Sequence, residues 1–301
     1  MTGQTGTGGR RMGAASVTEL AAASPAELLE IAVAAAREAG ELLADGDGRV
    51  AVAATKSSPT DVVTEMDRRS EELITRRLLA ARPADAILAE EGGASGAGGE
   101  GSAVRWVIDP IDGTVNYLYG LADWSVSIAA EVAGTVVAGV VHLPRHGETF
   151  TATLGGGAWL ARAGRAGAAG TAADAPVALR ARSGVPLSQA LVATGFGYLA
   201  ARRRIQGEVV AALLPLVRDI RRGGSASVDL CSVAAGRVDA YYERGLNYWD
   251  YAAGALIASE AGALVAGLSG PPGGSMTIAA APALFTELGA ALAALRPERD
   301  A

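Results

Sequence analysis

The stretch Trp106-Val-Ile-Asp-Pro-Ile-Asp-Gly-Thr-Val-Asn-Tyr117 decides how the rest of the chain is read. Residues 104–108, apolar but for Arg105, predict a buried strand, and Pro110 stiffens a turn carrying Asp109 and Asp112 behind it. Two carboxylates on one such turn can grip a hard divalent cation. The Gly113-Thr114 step then opens the next segment with backbone N–H groups free for an oxyanion. A hard cation takes more oxygens than two side chains supply, so further ligands must come from elsewhere.

Working outward, residues 86–89 (Ala-Ile-Leu-Ala) read as a second buried strand that delivers Glu90-Glu91 at its end, before a glycine-rich surface loop over 92–102. Residues 124–129 alternate polar and apolar, and 136–143 with 148–153 complete an antiparallel meander that Gly155-Gly-Gly157 breaks. Upstream, Ser24 and Pro25 open an amphipathic helix with Leu28, Leu29, Ile31, Ala32, Ala35 and Ala39 on its apolar face, ending near Asp45-Gly46. A short strand over 50–55 and a polar turn over 56–61 precede a second helix. There Met66, Leu73, Ile74, Leu78 and Leu79 face inward, Arg68, Arg69, Glu71, Glu72, Arg76 and Arg77 face water, and the helix stops before Pro83.

The second half alternates strands over 190–194, 217–220 and 238–242 with helices over 206–214, 225–235 and 250–261, as in a layered α/β unit. Residues 161–176, poor in apolar bulk, suit a domain boundary or a surface excursion.

With 301 residues the chain has room for two domains, each with its own core. The net charge of −6 argues against a general nucleic-acid binder. Arg202, Arg203, Arg204, Arg218, Arg221 and Arg222 read as solvated clusters, with a local basic patch as the alternative. Cys231 stands alone, so no intrachain disulfide forms, which fits a reducing cytoplasm. No apolar run is long enough to span a bilayer. Residues 1–22 read as a disordered tail, since Glu19 and Glu27 interrupt any apolar signal core after the twin arginine.

Glu90, Asp109, Asp112 and Asp250 each fall where a predicted strand ends or a helix begins, the positions from which open sheets present ligand groups. Converging, they make an all-oxygen site that selects Mg²⁺ or Mn²⁺ over zinc, with the Ile111 carbonyl as a further oxygen. Each has a plainer alternative. Asp250 could be a helix N-cap, Asp109 and Asp112 turn formers, and Glu90-Glu91 a solvated pair.

Taken together, four blocks resemble the inositol monophosphatase family, within the wider group of Mg²⁺-dependent, lithium-sensitive sugar-phosphate phosphatases. They are Lys56-Ser-Ser-Pro-Thr-Asp61-Val-Val-Thr64-Glu-Met-Asp67, Ala89-Glu90-Glu91, the stretch from Trp106 to Asn116, and Gly224-Ser-Ala226 through Tyr241-Tyr-Glu243 to Trp249-Asp250-Tyr-Ala-Ala-Gly254. The resemblance implies a layered α-β-α-β-α sandwich. It implies an N-terminal α+β domain over 23–155 with most metal ligands, and a C-terminal α/β domain over 156–301 with the substrate contacts and Asp250.

It further implies that Glu90, Asp109, the Ile111 carbonyl, Asp112 and Asp250 hold about two or three Mg²⁺ ions, with Mn²⁺ as a substitute. Thr114 and Asp67 would orient and deprotonate the attacking water, with Glu90 completing the catalytic group. Alternatives for these two are helix capping by Thr114 and an exposed helix position for Asp67. Gly113 and Thr114 amides would hold phosphate, and Lys56 and Asp61 would belong to a mobile loop, unless they are ordinary turn residues. Gly224, Ser225, Ala226, Glu243, Asp112 and Asp250 would contact the polyol or its ester, a carboxylate such as Glu243 accepting from adjacent hydroxyls unless it is merely solvated. Residues 194–198 (Thr-Gly-Phe-Gly-Tyr) would line the pocket.

The implied activity is hydrolysis of myo-inositol monophosphate, a small phosphomonoester, by a cytoplasmic homodimer. Histidinol phosphate, fructose 1,6-bisphosphate and phosphoadenosine phosphate are competing substrates. A regulatory partner of the transcription machinery is the non-enzymatic alternative.

Overall fold

The structure, a computed structural model, describes residues 24–46, 52–55, 62–95, 102–163 and 175–299. The expected tail, Lys56, Asp61 and parts of the 92–102 loop and the 161–176 excursion lie outside the described residues.

Helix α1 (Pro25–Gly46) leads through strands β1 (Val52–Thr55) and β2 (Val62–Thr64) to helix α2 (Glu65–Ala81). Then follow β3 (Ala86–Ala89), β4 (Gly93–Ser95), β5 (Val104–Asp112), helix α3 (Thr114–Leu118), β6 (Ser125–Val132), β7 (Thr135–Leu143), β8 (Glu148–Thr153), β9 (Gly157–Arg162) and β10 (Val177–Ala178). The remainder is β11 (Leu191–Thr194), α4 (Ala200–Leu213), β12 (Asp219–Arg221), α5 (Ala226–Ala234), β13 (Ala240–Glu243), α6 (Tyr248–Glu260), β14 (Leu264–Ala266), β15 (Thr277–Ala280) and α7 (Pro282–Leu295).

An eight-stranded sheet runs β10-β9-β8-β7-β6-β5-β3-β4, and a five-stranded sheet runs β12-β11-β13-β15-β14. Four apolar seams join five layers. Leu28, Leu43, Ile74 and Leu78 of α1 and α2 pack on Trp106, Ile128 and Val140 of the large sheet. Its other face, with Val107, Val141 and Phe150, meets Val228, Cys231, Ala253 and Ile257 of α5 and α6. The far side of those helices, through Leu230, Val233 and Ala258, covers Ala193, Tyr241 and Ala279 of the small sheet. Finally Val192, Ala240 and Ile278 pack under α4 and α7 through Ile205, Val209, Leu284 and Leu288. The order α-β-α-β-α is the expected sandwich.

Small residues set the spacing between layers. Gly139 of β7 lies so close to α6 that a Cβ there would stand 3.1 Å from the Ala253 Cα. On the opposite face, a Cβ at Gly40 of α1 would stand 2.6 Å from the His142 ring and 2.8 Å from Pro144. The alanine stripe of α1 serves the same close approach, with Ala32, Ala35, Ala36 and Ala39 buried.

Several expectations change. Gly155-Gly-Gly157 does not end the meander; it is a turn, and the sheet continues into β9 and β10. Glu71 does not face water: it is buried, and its carboxylate accepts the Glu91 and Gly92 amides at 2.8 and 2.7 Å. Asp109 and Asp112 sit in the last turn-free residues of β5 itself. Asp109 pairs with Ser127 and Asp112 with Ser125, so one extra residue is inserted between them. In a flat strand, positions three apart face opposite ways; this bulge at Pro110-Ile111 turns both aspartates to one side. Proline suits the bulge because it has no amide to leave unpaired.

One imidazole reports on the α1 seam. Burial, with the Arg37 charge added, holds His142 down at about 4 from an ordinary 6.5. Between those values the unfolded chain takes up a proton that the native protein refuses, so stability falls as pH drops through this window and is fully present above it. Chemical denaturation at stepped pH should show a loss of about 2 kcal/mol from this group, allowing for its partial exposure. His142→Gln should flatten that part of the profile; an unchanged slope would exclude the imidazole as its source.

Candidate metal and phosphate site

The carboxyl ends of the parallel strands β3, β5, β11 and β13 open on a common cavity of about 380 Å³. Glu90, Asp109, Ile111, Asp112, Gly113, Thr114 and Asp250 line it, with Gly195, Phe196, Gly197 and Tyr198, then Gly224, Ala226, Glu243 and Trp249. All four carboxylates named from the sequence line this one cavity. Burial pushes the Asp109 carboxyl well up, and the charges of Glu90, Asp112 and Asp250 add to it. Asp250 is raised in the same way by burial and by Glu90 and Asp112, against the Asn247 amide that donates to it at 2.7 Å.

Each carboxylate is held by local structure. Glu90 follows β3, whose end is fixed by the Glu71 carboxylate gripping the next two amides. Asp109 accepts the Ile111 amide at 3.1 Å across the bulge. Asp112 Oδ2 accepts three donors from the start of α5: the Ser225 hydroxyl at 2.7 Å, the Ser227 amide at 2.7 Å and the Ser227 hydroxyl at 2.5 Å. These offset the upward push of burial on Asp112. Asp250 is the third residue of α6, paired reciprocally with Asn247 in a capping box, so it caps the helix and faces the cavity at once.

Asp67 is not an exposed helix residue. It is buried, it closes a capping box with Thr64, and its carboxylate accepts the Thr64 amide at 2.7 Å and hydroxyl at 2.5 Å. Its other oxygen lies 3.1 Å from the Thr114 hydroxyl, which also lies 3.0 Å from the Ile111 carbonyl. Burial raises the Asp67 carboxyl; Thr64 and Thr114 hold it back. Gly113, at φ 95°, precedes α3, and a Cβ there would stand 3.1 Å from the Asp123 carbonyl.

Of the residues expected to contact substrate, Gly224 and Ala226 line the cavity, but Ser225 turns inward to Asp112 and is itself buried. Glu243 accepts the Tyr241 hydroxyl at 2.8 Å, and burial lifts its carboxyl to about 7. Sequence reasoning missed Glu71, Thr64, Ser227, Arg202 and Arg222. The Thr64-x-x-Asp67 spacing before an apolar-periodic run was the one available signal among them.

The donor set is all oxygen, with no imidazole or thiolate among the lining residues, and its like charges repel until a cation enters. Among the described residues no three acidic, histidine or cysteine side chains already close on a single point. The chemistry fits a hard divalent ion, with the side chains in an open arrangement.

The profile of the inositol monophosphatase family matches residues 24–298. The chain belongs to that family. It is 49% identical over 253 residues to the inositol-1-monophosphatase SuhB of Mycobacterium tuberculosis strain H37Rv, 82% of each chain being covered. It is 39% identical over 266 residues to the Nus factor SuhB of Pasteurella multocida, covering 87% of this chain and 94% of that one. The crystal structure of the extragenic suppressor protein SuhB from Bartonella henselae superimposes with a TM-score of 0.77 at 33% identity, over 88% of this chain and 98% of that one. Family membership supports a phosphatase, and members are generally metal-dependent.

The Glu243 carboxylate depends on bare backbone beside it, because a Cβ at Gly195 would overlap it. Gly195→Ala should displace Glu243, break its contact with Tyr241 and destabilise the protein by about 1–3 kcal/mol. Thermal denaturation checks this, and a midpoint equal to wild type would mean the carboxylate has another place to go.

Proposed function

We propose that this protein is a Mg²⁺-dependent phosphomonoesterase that releases phosphate from myo-inositol monophosphate. The observation carrying the reading is the convergence of Glu90, Asp109, Asp112 and Asp250 on the cavity that Thr114 also enters. In this reading those four side chains and the Ile111 carbonyl hold the ions. Bound divalent cations supply neutralisation of the phosphate dianion and a more acidic water. Thr114 and Asp67 orient that water and take its proton, Glu90 completes the group, and Gly113 and Thr114 amides receive the phosphate. Glu243, Gly224 and Ala226 face the polyol, with Ser225 acting through Asp112. Metal ligands then fall mainly within 23–155 and substrate contacts within 156–301. A cytoplasmic homodimer, with Lys56 and Asp61 in a closing loop, completes the proposal.

A second reading, a regulatory binding protein, is favoured by the name Nus factor SuhB borne by the Pasteurella multocida relative. The two separate at Asp109. Asp109→Asn should abolish magnesium-dependent, lithium-suppressed phosphate release, measured across inositol, histidinol, fructose bis- and phosphoadenosine phosphates, while leaving any partner role intact. It removes a buried charge from a repelling group, so metal-free stability should not fall. Unfolding of the variant would make Asp109 structural, and release of phosphate from histidinol phosphate ahead of inositol phosphate would overturn the substrate.

Glu243 gives a pH signature. Its carboxyl, lifted to about 7 by burial, accepts hydroxyls on both oxygens only once ionised. KM for inositol monophosphate should therefore fall as pH rises through about 7, and Glu243→Gln should remove that dependence. A titration that persists in the variant belongs to another group.

A further inference from the structure

The donors that hold Asp112 leave its carboxylate asymmetric. The Ser225 hydroxyl, the Ser227 amide and the Ser227 hydroxyl all close on Oδ2, and the Ala226 amide adds to their hold. Oδ1 is then the oxygen that Asp112 has left to offer the cavity it lines. Asp109 and Asp250 repeat the pattern in a lighter form. Asp109 Oδ1 accepts the Ile111 amide and Asp250 Oδ2 the Asn247 amide, so each of the three aspartates has one oxygen tied to the protein.

Ser227 supplies two of the three bonds to Oδ2 and has another hydroxyl behind it. Ser125 Oγ, at the start of β6, lies 2.7 Å from Ser227 Oγ. Since an ionised carboxylate only accepts, Ser227 gives its proton to Asp112 and Ser125 is the donor to Ser227. The relay runs from β6 through α5 to the bulge of β5. Its other bond, at 3.5 Å, is to the Ser225 hydroxyl, so every contact of the Ser227 hydroxyl belongs to this network. Helix α5 does not need that hydroxyl as a cap, because Ser225 accepts the Val228 amide at its start. Ser125 and Ser227 are fully buried and Ser225 nearly so. Water cannot replace a bond that Oδ2 gives up, and freeing that oxygen would strand buried donors.

Divalent ions of different size use a carboxylate differently. Mg²⁺ holds a tight octahedron, and the two oxygens of one carboxylate lie too close together to fill two of its corners. Ca²⁺ takes more oxygens at longer range and accepts a carboxylate through both. We propose that Ser227, backed by Ser125, is a positioning residue that sets the choice of cation: by holding Oδ2 it limits Asp112 to one-oxygen coordination, which Mg²⁺ uses, and denies Ca²⁺ the second oxygen. This rests on the metal-dependent reading above and adds the residue that governs which ion is taken.

The test is calorimetric titration of the full chain with Mg²⁺ and with Ca²⁺ in the absence of substrate, so that turnover plays no part. Ser227→Ala should move the ratio of the two dissociation constants toward Ca²⁺ about tenfold, the scale of one hydrogen bond to a charged group, while Mg²⁺ affinity changes far less. Ser125→Ala should move it the same way by a smaller factor. Ser225→Ala is a poorer probe, because it also removes the α5 cap. A crystal structure of Ser227→Ala with Ca²⁺ should show both Asp112 oxygens on the ion. An unmoved ratio, or equal losses for both ions, would make Ser227 a packing residue and overturn the proposal. Should that variant not fold, Ser125→Ala decides on the same criterion. A wild type that binds neither ion would sink the metal-dependent reading together with this one, whereas Mg²⁺ binding with an unmoved ratio would sink only the role of Ser227.

Discussion

Like charge held together against its own repulsion is the constraint around which this molecule is built. Asp109, Asp112, Glu90 and Asp250 reach one another in a place where burial already disfavours ionisation. Left alone, such a group would protonate or splay apart. The fold prevents splaying by fixing each carboxylate from behind: a bulge in β5, three donors from the start of α5, a capping box at α6 and the Glu71 clamp on the end of β3. A cation would relieve that repulsion, and members of the family are generally metal-dependent.

That constraint explains the layered architecture around it. The middle layer, α5 and α6, is shared by both sheets, and its helices begin at the cavity. Their near approach depends on small side chains: Gly139 under Ala253, and Gly254 whose Cβ would stand 2.9 Å from Leu230. A bulkier seam would separate the large sheet, which brings Asp109 and Asp112, from the helix that brings Asp250. Alanine and glycine content that carried no functional message in the linear chain has this geometric one.

Much of this was legible in the sequence because the site residues lie in short, ordered blocks. The strand before Asp109, the helix starts near Ser225 and Asp250, and the sandwich itself were all readable. What escaped reading follows a pattern. The strands β14 and β15 are short or covered on both faces, so they show no alternation, β9 hides its alternation by placing the apolar Trp159 on its exposed face, and α7 is so rich in alanine and leucine that its faces hardly differ. The burial of Glu71 and Asp67 came from tertiary partners: the Glu91 and Gly92 amides in one case, Thr114 in the other. The cavity residues Arg202 and Arg222 sit in charge runs that pattern alone assigns to solvent.

The capping box at the start of α2 has a final implication. The carboxylate that closes that helix end also faces the Thr114 hydroxyl, so one side chain serves two masters, a backbone terminus and the cavity wall. Fraying of a single turn would loosen the second as it released the first. Thermal inactivation of such a protein would then track the opening of a few residues near Thr64, well below the temperature at which its apolar seams give way.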